Sequence, residues 1–300
     1  MSDQTIRTVG ILGAGQMGLG IAQVTARAGF KTILVKMTPG SVDDVRKRIE
    51  TALGKEVEKG RLTAEAQKAA LDNLVTTGNL KDLADADLVI ESIVEHLPTK
   101  HDAFAKLEDI CRPDTIFASN TSTLGITEMA VRTKRPDRFI GLHFFNPATA
   151  MKLVEIATTL ATKPEVVAAV KKFVTDLGKT PVLVPDSTGF IVNRLLVPYL
   201  LDAINAWRQG TGSIADIDTA MCQGAGHPMG PFALADFIGL DVVYHMATNL
   251  HDEYREPRFA PPPVLRRLFL AGQLGRKTGL GFYDYSSKPL KPNPALERAE

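Results

Sequence analysis

The run Gly13-Ala-Gly15-Gln16-Met17-Gly18 constrains this chain most, because of what flanks it. Thr8 to Leu12 is a short β-rich run immediately before it. A helical pattern with Ile21, Val24 and Ala28 on one face follows and ends at Gly29, and Thr32 to Val35 reads as a second strand. Strand, glycine turn, helix and strand is the setting in which Gly-x-Gly-x-x-Gly specifies a dinucleotide site. Gly13 allows the tight turn, Gly15 lets the backbone approach a pyrophosphate, and Gly18 permits close packing of helix on strand. The helix N-terminus adds N–H groups and the positive end of its dipole. Gln16 and Met17 lie in the same turn and count with it as cofactor-binding residues.

One position departs from that pattern. A site for NAD carries Asp or Glu roughly 20 residues beyond the glycines, at the end of the second strand, to bond the ribose hydroxyls. Lys36 stands there instead, followed by Met37 and Thr38. A cation at that place attracts the 2′-phosphate of NADP, so the cofactor reads as NAD or NADP. The other reading is a solvent-facing lysine, with backbone or Thr38 contacts serving the ribose.

Between Gly40 and Lys81 the spacing of Val45, Ile49, Leu53 and Val57, then Leu71 and Leu74, predicts two helices separated near Gly60. Leu88 to Glu91 reads as a buried strand, and after a break at Pro98 a helix is expected over Lys100 to Cys111. Thr115 to Ser119 is the next strand and delivers Asn120-Thr121-Ser122 at its C-terminal end. Phe139 to His143 and Lys152 to Ile156 are two more. In open parallel sheets ligands bind outside the carboxyl ends of the strands, so Glu95, Ser122 and His143 are candidates for one crevice. Glu155 follows His143 twelve positions later. An imidazole can take a proton from an alcohol while a cofactor takes the hydride. A carboxylate beside it fixes the tautomer and stabilises the imidazolium that forms.

After Val184-Pro-Asp186 the pattern turns helical, and a second domain is expected to begin near Asp186 to Gly189. Ile191, Leu195, Pro198 and Leu201 to Ile204 lead a long apolar helix, kinked at Pro198. Ile214 to Cys222 forms another with Ser213 as its N-cap, and Phe232 to Ile238 and Val242 to Leu250 continue the series. No strand pattern occurs before Gly281 to Tyr285. The expected fold is α/β: a Rossmann-like doubly wound sheet over residues 1–186, then an all-helical C-terminal domain over 187–300. The tail from Ser286 to Glu300 is expected to be mobile.

Composition excludes several function classes. Lys+Arg 35 against Asp+Glu 34 leaves a formal charge of +1, with no block of like charge, which argues against nucleic acid and membrane surfaces as partners. No window approaches about 18 apolar residues in a row, and Met1 to Arg7 carry no apolar signal core. Cys111 and Cys222 are far apart and outside any ligand spacing. No disulfide framework and no metal site are expected, which fits a cytoplasmic protein.

Eight runs in order carry a specific resemblance. They are Gly13 to Gly18, Ile90-Glu-Ser-Ile-Val-Glu95, Ala118-Ser-Asn-Thr-Ser122, Gly141-Leu-His-Phe-Phe-Asn-Pro147, Met151-Lys-Leu-Val-Glu155, Gly189-Phe-Ile-Val-Asn-Arg194, Gly224-Ala-Gly-His-Pro-Met-Gly-Pro231 and Gly275-Arg-Lys-Thr-Gly-Leu-Gly-Phe-Tyr283. Over nearly its whole length the chain resembles the L-3-hydroxyacyl-CoA dehydrogenase family, whose bacterial, short-chain members include 3-hydroxybutyryl-CoA dehydrogenases. The resemblance implies oxidation of an (S)-3-hydroxyacyl-CoA to the 3-oxoacyl-CoA, and the reverse. By resemblance His143 is the general base and Glu155 its orienting carboxylate, while Ser122 and Asn193 bond the reacting oxygen. Glu95, Lys100 and Asn146 match positions on the nicotinamide side, Lys277 one near the cofactor, and Lys59 a lysine facing CoA. Lys36 departs from the family, which carries Asp there. A homodimer formed through the C-terminal domain is implied as well.

Two rival readings differ in class. One is a related dehydrogenase of a hydroxy acid not carried on CoA, which the Asn120-Thr-Ser122 and His227-Pro-Met-Gly-Pro231 runs disfavour. A hydroxyisobutyrate-type enzyme would need a catalytic lysine where Asn193-Arg194 stands. The other is a non-catalytic nucleotide-binding relative, against which the retention of His143, Glu155, Ser122 and Asn193 together argues.

Overall fold

Short apolar runs punctuated by turns build the first part of the chain into one sheet. In the computed structural model, which describes residues 5–297, the strands are β1 (Thr8–Leu12), β2 (Lys31–Val35), β3 (Leu74–Thr77), β4 (Leu88–Glu91), β5 (Ile116–Ser119), β6 (Phe139–Phe144), β7 (Leu153–Thr158) and β8 (Thr180–Pro185). They form an eight-stranded sheet in the order β3-β2-β1-β4-β5-β6-β7-β8. Every neighbouring pair is parallel except β6 and β7. That exception follows from chain length: residues 145–152 are too few for a parallel crossover, which needs about a dozen.

The helices α1 (Gln16–Arg27), α2 (Val42–Glu58), α3 (Ala64–Asp72), α4 (Leu97–Glu108), α5 (Ile126–Ala130) and α6 (Pro164–Asp176) belong to the same unit. Alternation along the strands divides their side chains between two cores. Val9, Ile11, Leu34 and Ile90 meet Ile21, Ile49, Val170 and Phe173 in one, against α1, α2 and α6. Leu12, Ile33, Val89 and Phe117 meet Phe104, Leu107, Ile126 and Met129 in the other, against α4 and α5. Strands covered on both faces need apolar side chains throughout, which is why β4 and β5 are buried at every residue.

Several elements depart from the sequence expectation, three of them in this unit: β3, α6 and β8. Leu74 fits the helical spacing of Leu71, yet α3 stops at Asp72 and Leu74 begins β3, where Thr76 and Thr77 suit a pleated edge. The helix α6 and the strand β8 were not foreseen. Pro181 and Pro185 hide β8, and they are tolerated because it is an edge strand paired with β7 alone.

The chain parts into two compact units between Phe190 and Ile191. The second contains α7 (Val192–Arg208), α8 (Ile214–Gly224), α9 (Pro231–Ile238), α10 (Leu240–Tyr254), α11 (Pro263–Leu270), β9 (Tyr283–Asp284), β10 (Lys291–Pro292) and α12 (Pro294–Glu297). Ser213 caps α8 by accepting the Asp216 N–H, and α7 runs on through Pro198. Phe232, Leu240, Leu265 and Phe282 lie at its core. Asp236, 1% exposed, organises one corner: it accepts the N–H groups of Phe282 and Tyr283 and the Tyr285 hydroxyl.

The expected mobile tail is instead largely packed. β10 pairs with β9, Asn293 is buried and donates to Gln273 Oε1 and the Gly281 carbonyl, and Leu296 joins the core. Residues 298–300 lie outside the described residues. Among the described residues no helix is long and apolar enough to cross a membrane.

Candidate active site

The glycine turn does what its sterics demand. Gly13 has φ 113°, and a Cβ there would strike the Ser92 carbonyl; a Cβ at Gly18 would strike the Gly13 carbonyl oxygen. Gly13 N–H donates to the Val35 carbonyl at 2.9 Å, tying the turn to the end of β2. Gly15 is the N-cap of α1, and a Cβ on it would meet nothing within 4 Å. The turn borders a cleft of about 810 Å³. Gly13 to Met17, Met37 and Thr38, Ser92 to Glu95, a face of α4 including Lys100, and Asn120 and Ser122 line it. Its loop residues follow the carboxyl ends of β1, β2, β4 and β5, where open α/β sheets bind their ligands. An open glycine at a helix N-terminus, beside a cleft of this size, fits a dinucleotide's pyrophosphate.

Lys36 stands at the margin of that cleft rather than in its lining. Its ammonium donates to the Thr38 carbonyl at 2.5 Å, to Thr38 Oγ1 at 3.0 Å and to the Pro39 carbonyl, closing its own loop.

A buried ionic cluster lies under the cleft. Lys100, 1% exposed, holds Glu91 Oε1 at 2.6 Å and Glu95 Oε2 at 3.1 Å. Glu91 also accepts the Ile93 N–H at 2.7 Å and the Ser119 hydroxyl at 2.5 Å. Glu95 in turn accepts the Thr121 hydroxyl and the Ser122 N–H, the latter at 3.1 Å. Burial raises the Glu95 pKa, but the Lys100 charge and the hydrogen bonds from Thr121, Lys100 and Ser122 outweigh it, and the net shift is downward. Ser122 is therefore presented to the cleft by a loop hung on a carboxylate. Within the loop Thr121 Oγ1 accepts the Leu124 N–H, and Asp186 holds the start of α5 by accepting the N–H groups of Ile126 and Thr127.

His143 and Glu155 are direct partners across the antiparallel β6–β7 pair. His143 is 6% exposed and Glu155 fully buried, and Nδ1 lies 2.8 Å from Glu155 Oε2. With Nδ1–H donating to the carboxylate, Nε2 is the nitrogen left for proton exchange. Phe145 and Phe190 pack against the imidazole with centroids 4.5 Å and 5.6 Å away. Asn120 Oδ1 accepts the Phe144 N–H, joining the end of β5 to the end of β6. Asn146 Oδ1 accepts from Gln16 Nε2 at 3.1 Å, which joins the His143 segment to the glycine turn.

The remaining sequence candidates lie elsewhere in the chain. Asn193 is buried in the first turn of α7, and Lys277 pairs with Asp241 at 2.5 Å, both in the second unit. Lys59 is exposed at the C-cap of α2. Sequence reasoning passed over Glu91, Phe145 and Phe190. Glu91 ends a run otherwise made of buried apolar residues, and that polar intrusion was its only signal. Phe145 and Phe190 sit in noted runs, but nothing in sequence shows rings converging on one imidazole.

Comparisons with known proteins match nearly the whole chain. Residues 8–187 match the family model of the 3-hydroxyacyl-CoA dehydrogenase NAD binding domain, and residues 189–285 that of the 3-hydroxyacyl-CoA dehydrogenase C-terminal domain. A 3-hydroxybutyryl-CoA dehydrogenase of Mycobacterium tuberculosis is 44% identical over 287 residues, covering 95% of this chain and 100% of the relative. The crystal structure of (S)-3-hydroxybutyryl-CoA dehydrogenase PaaH1 from Ralstonia eutropha superposes with a TM-score of 0.91 at 40% identity, over 94% of this chain and 100% of that one. That of M. tuberculosis FadB2 gives 0.91 at 44% identity, over 94% and 99%.

Proposed function

The chain belongs to the 3-hydroxyacyl-CoA dehydrogenase family, and we propose that it interconverts an (S)-3-hydroxyacyl-CoA, 3-hydroxybutyryl-CoA first among them, and the 3-oxoacyl-CoA. The observation that carries this reading is the buried His143–Glu155 pair, on the same sheet as a cleft shaped for a dinucleotide. In oxidation His143 Nε2 takes the hydroxyl proton, and in reduction the imidazolium returns it. Glu155 keeps Nδ1 engaged and stabilises the cation in between. Bound NAD supplies the hydride acceptor, and NADH the donor.

Ser122 and Asn193 are assigned to the reacting oxygen. A hydroxyl and an amide can serve alcohol and ketone alike without placing a second charge at the imidazole. Glu95, Lys100 and Asn146 are assigned to the nicotinamide side, Gly13 to Gly18 to the pyrophosphate, Lys277 to the cofactor's margin and Lys59 to the CoA moiety.

For the cofactor, NAD is the reading the NAD binding domain supports. The Lys36 ammonium already has three oxygen acceptors, so it is assigned to the loop rather than to a 2′-phosphate. The missing carboxylate nevertheless leaves NADP unrepelled, and discrimination between the two is weak. A homodimer through the second unit is supported by Ile191 and Leu195, one helical turn apart and 44% and 64% exposed. The unpaired Cys111 and Cys222 fit a reducing, cytoplasmic setting.

The test is the initial rate of acetoacetyl-CoA reduction with NADH and NADPH side by side. Turnover establishes the reaction. Its absence with both cofactors, on short and long acyl chains alike, removes it.

A further inference from the structure

Phe190 is the last residue of the first unit and stands three positions before Asn193 in the sequence. Its φ is 47°, directly after Gly189 at 81°. Glycine adopts the left-handed region freely, whereas a bulky L-residue there is an outlier. Such a residue persists only where its surroundings over-determine it, and outliers of this kind gather at functional sites. Here the surroundings are specific. Phe190 N–H donates to the Ser187 carbonyl at 2.9 Å, and Asp186 is bound through both carboxylate oxygens to the Ile126 and Thr127 N–H groups at 2.9 and 2.7 Å. The segment entering Phe190 is thus pinned to the start of α5.

That pinned, left-handed turn buries the Phe190 ring to 3% exposure, with its centroid 5.6 Å from the His143 imidazole and the planes at 46°. The Glu155 hydrogen bond fixes only one atom of the imidazole, Nδ1. A ring held at a single atom can still tilt, and a tilt sweeps Nε2, the nitrogen that must meet the substrate proton. Packing by Phe190, with Phe145 as a second aromatic neighbour at 4.5 Å, removes that freedom. We propose that Phe190 is a positioning residue for the general base: the strained turn exists to hold this ring against the imidazole and so to aim Nε2. The segment that leads into α7 then belongs to the catalytic apparatus and is more than a spacer. This rests on the dehydrogenase reading given above.

The experiment compares Phe190→Leu with the parent in acetoacetyl-CoA reduction by NADH. Leucine keeps a buried apolar side chain on the same strained backbone and removes only the ring. The expected result is a kcat lower by about tenfold or more, as small misplacements of a reacting group cost. The KM for NADH should be unchanged, the pH profile of kcat displaced, and Tm close to that of the parent. Phe190→Tyr, which retains the ring, should restore kcat. A parental kcat and pH profile in Phe190→Leu would overturn the proposal and leave Phe190 a core filler. If Phe190→Leu does not fold, Phe190→Met, a second apolar replacement without a ring, decides. A parental kcat and pH profile in Phe190→Met equally overturns it. His143→Gln also separates the two readings: turnover in that variant sinks the dehydrogenase mechanism, whereas an inactive His143→Gln beside a fully active Phe190→Leu sinks the positioning role alone.

Discussion

His143 and Glu155 face each other across the β6–β7 pair, on the one antiparallel junction of the sheet. Direct cross-strand partners hold their Cβ atoms about 5 Å apart on the same face, so the 2.8 Å bond between Nδ1 and Oε2 needs no unusual rotamer search. The short return after β6 thus sets the distance between the imidazole and the carboxylate. A parallel crossover at this point would have left the imidazole without its partner. His143→Gln and Glu155→Gln are each expected to lower kcat for acetoacetyl-CoA reduction by about 10²–10⁴-fold. NADH affinity, read by the fluorescence of the bound nucleotide, should hardly move, because neither residue lines the cleft. Near-parental turnover in either purified variant removes it from the proton path.

Glu91 and Lys100 form an ion pair with side chains 0% and 1% exposed. Removing one partner of such a pair leaves an uncompensated buried charge and costs about 3–5 kcal/mol. Lys100→Met, which leaves Glu91 and Glu95 both without their cation, should therefore show a marked loss of stability in urea unfolding. Glu91→Gln combined with Lys100→Met removes one of the two stranded charges and keeps an acceptor for the Ile93 N–H, and part of that stability should return. Cofactor affinity should not return with it, because Lys100 also holds Glu95, and Glu95 holds the Ser122 loop. A double variant that binds NADH as the parent does would reduce the cluster to a structural device.

Much of this site is legible in the sequence, for reasons that differ from residue to residue. The glycine turn is readable because sterics allow nothing else at Gly13 and Gly18. His143 and Glu155 are readable as chemical types, but their pairing depends on β-register, which residue spacing alone does not disclose. Leu74 misleads because a buried edge residue can continue a helical period by chance. Pro181 and Pro185 conceal β8 because the edge position that excuses them is a property of the sheet. Phe190 is invisible for a deeper reason. Its weight lies in a dihedral angle and a ring contact, and neither is a property of residue type.

Lys36 offers a test of cofactor choice. Lys36→Asp restores the carboxylate that serves the ribose hydroxyls and sets a negative charge against a 2′-phosphate. Like charges placed together cost several kcal/mol, so kcat/KM with NADPH should fall by at least about tenfold relative to NADH. Lys36→Met separates the causes. It removes the cation and the loop contacts without adding repulsion, and should leave the ratio of the two cofactors near that of the parent. A selective collapse of NADPH activity in Lys36→Met would instead make the ammonium a phosphate ligand.

Asp236 gives the second unit a pH signature of its own. Burial pushes its carboxyl up from 3.8 to about 6, with the nearby Asp218 adding to the rise; the N–H groups of Phe282 and Tyr283 and the Tyr285 hydroxyl oppose it. A carboxyl with a raised folded-state pKa binds its proton more tightly folded than unfolded. Its contribution to stability is therefore highest below pH 4, falls as pH rises through the interval from about 4 to 6, and is constant above it. Acidic groups with a downward shift, such as Asp137 and Glu95, act in the opposite sense. The total curve will not isolate Asp236, and the difference from Asp236→Asn will. Asparagine cannot accept at both oxygens, so the variant should be less stable at every pH. The difference should be largest at pH 4, where the parent gains its proton, and smaller at pH 7. Urea midpoints at both pH values measure it, and a difference that grows with pH would show that the three donors, rather than burial, govern this carboxylate.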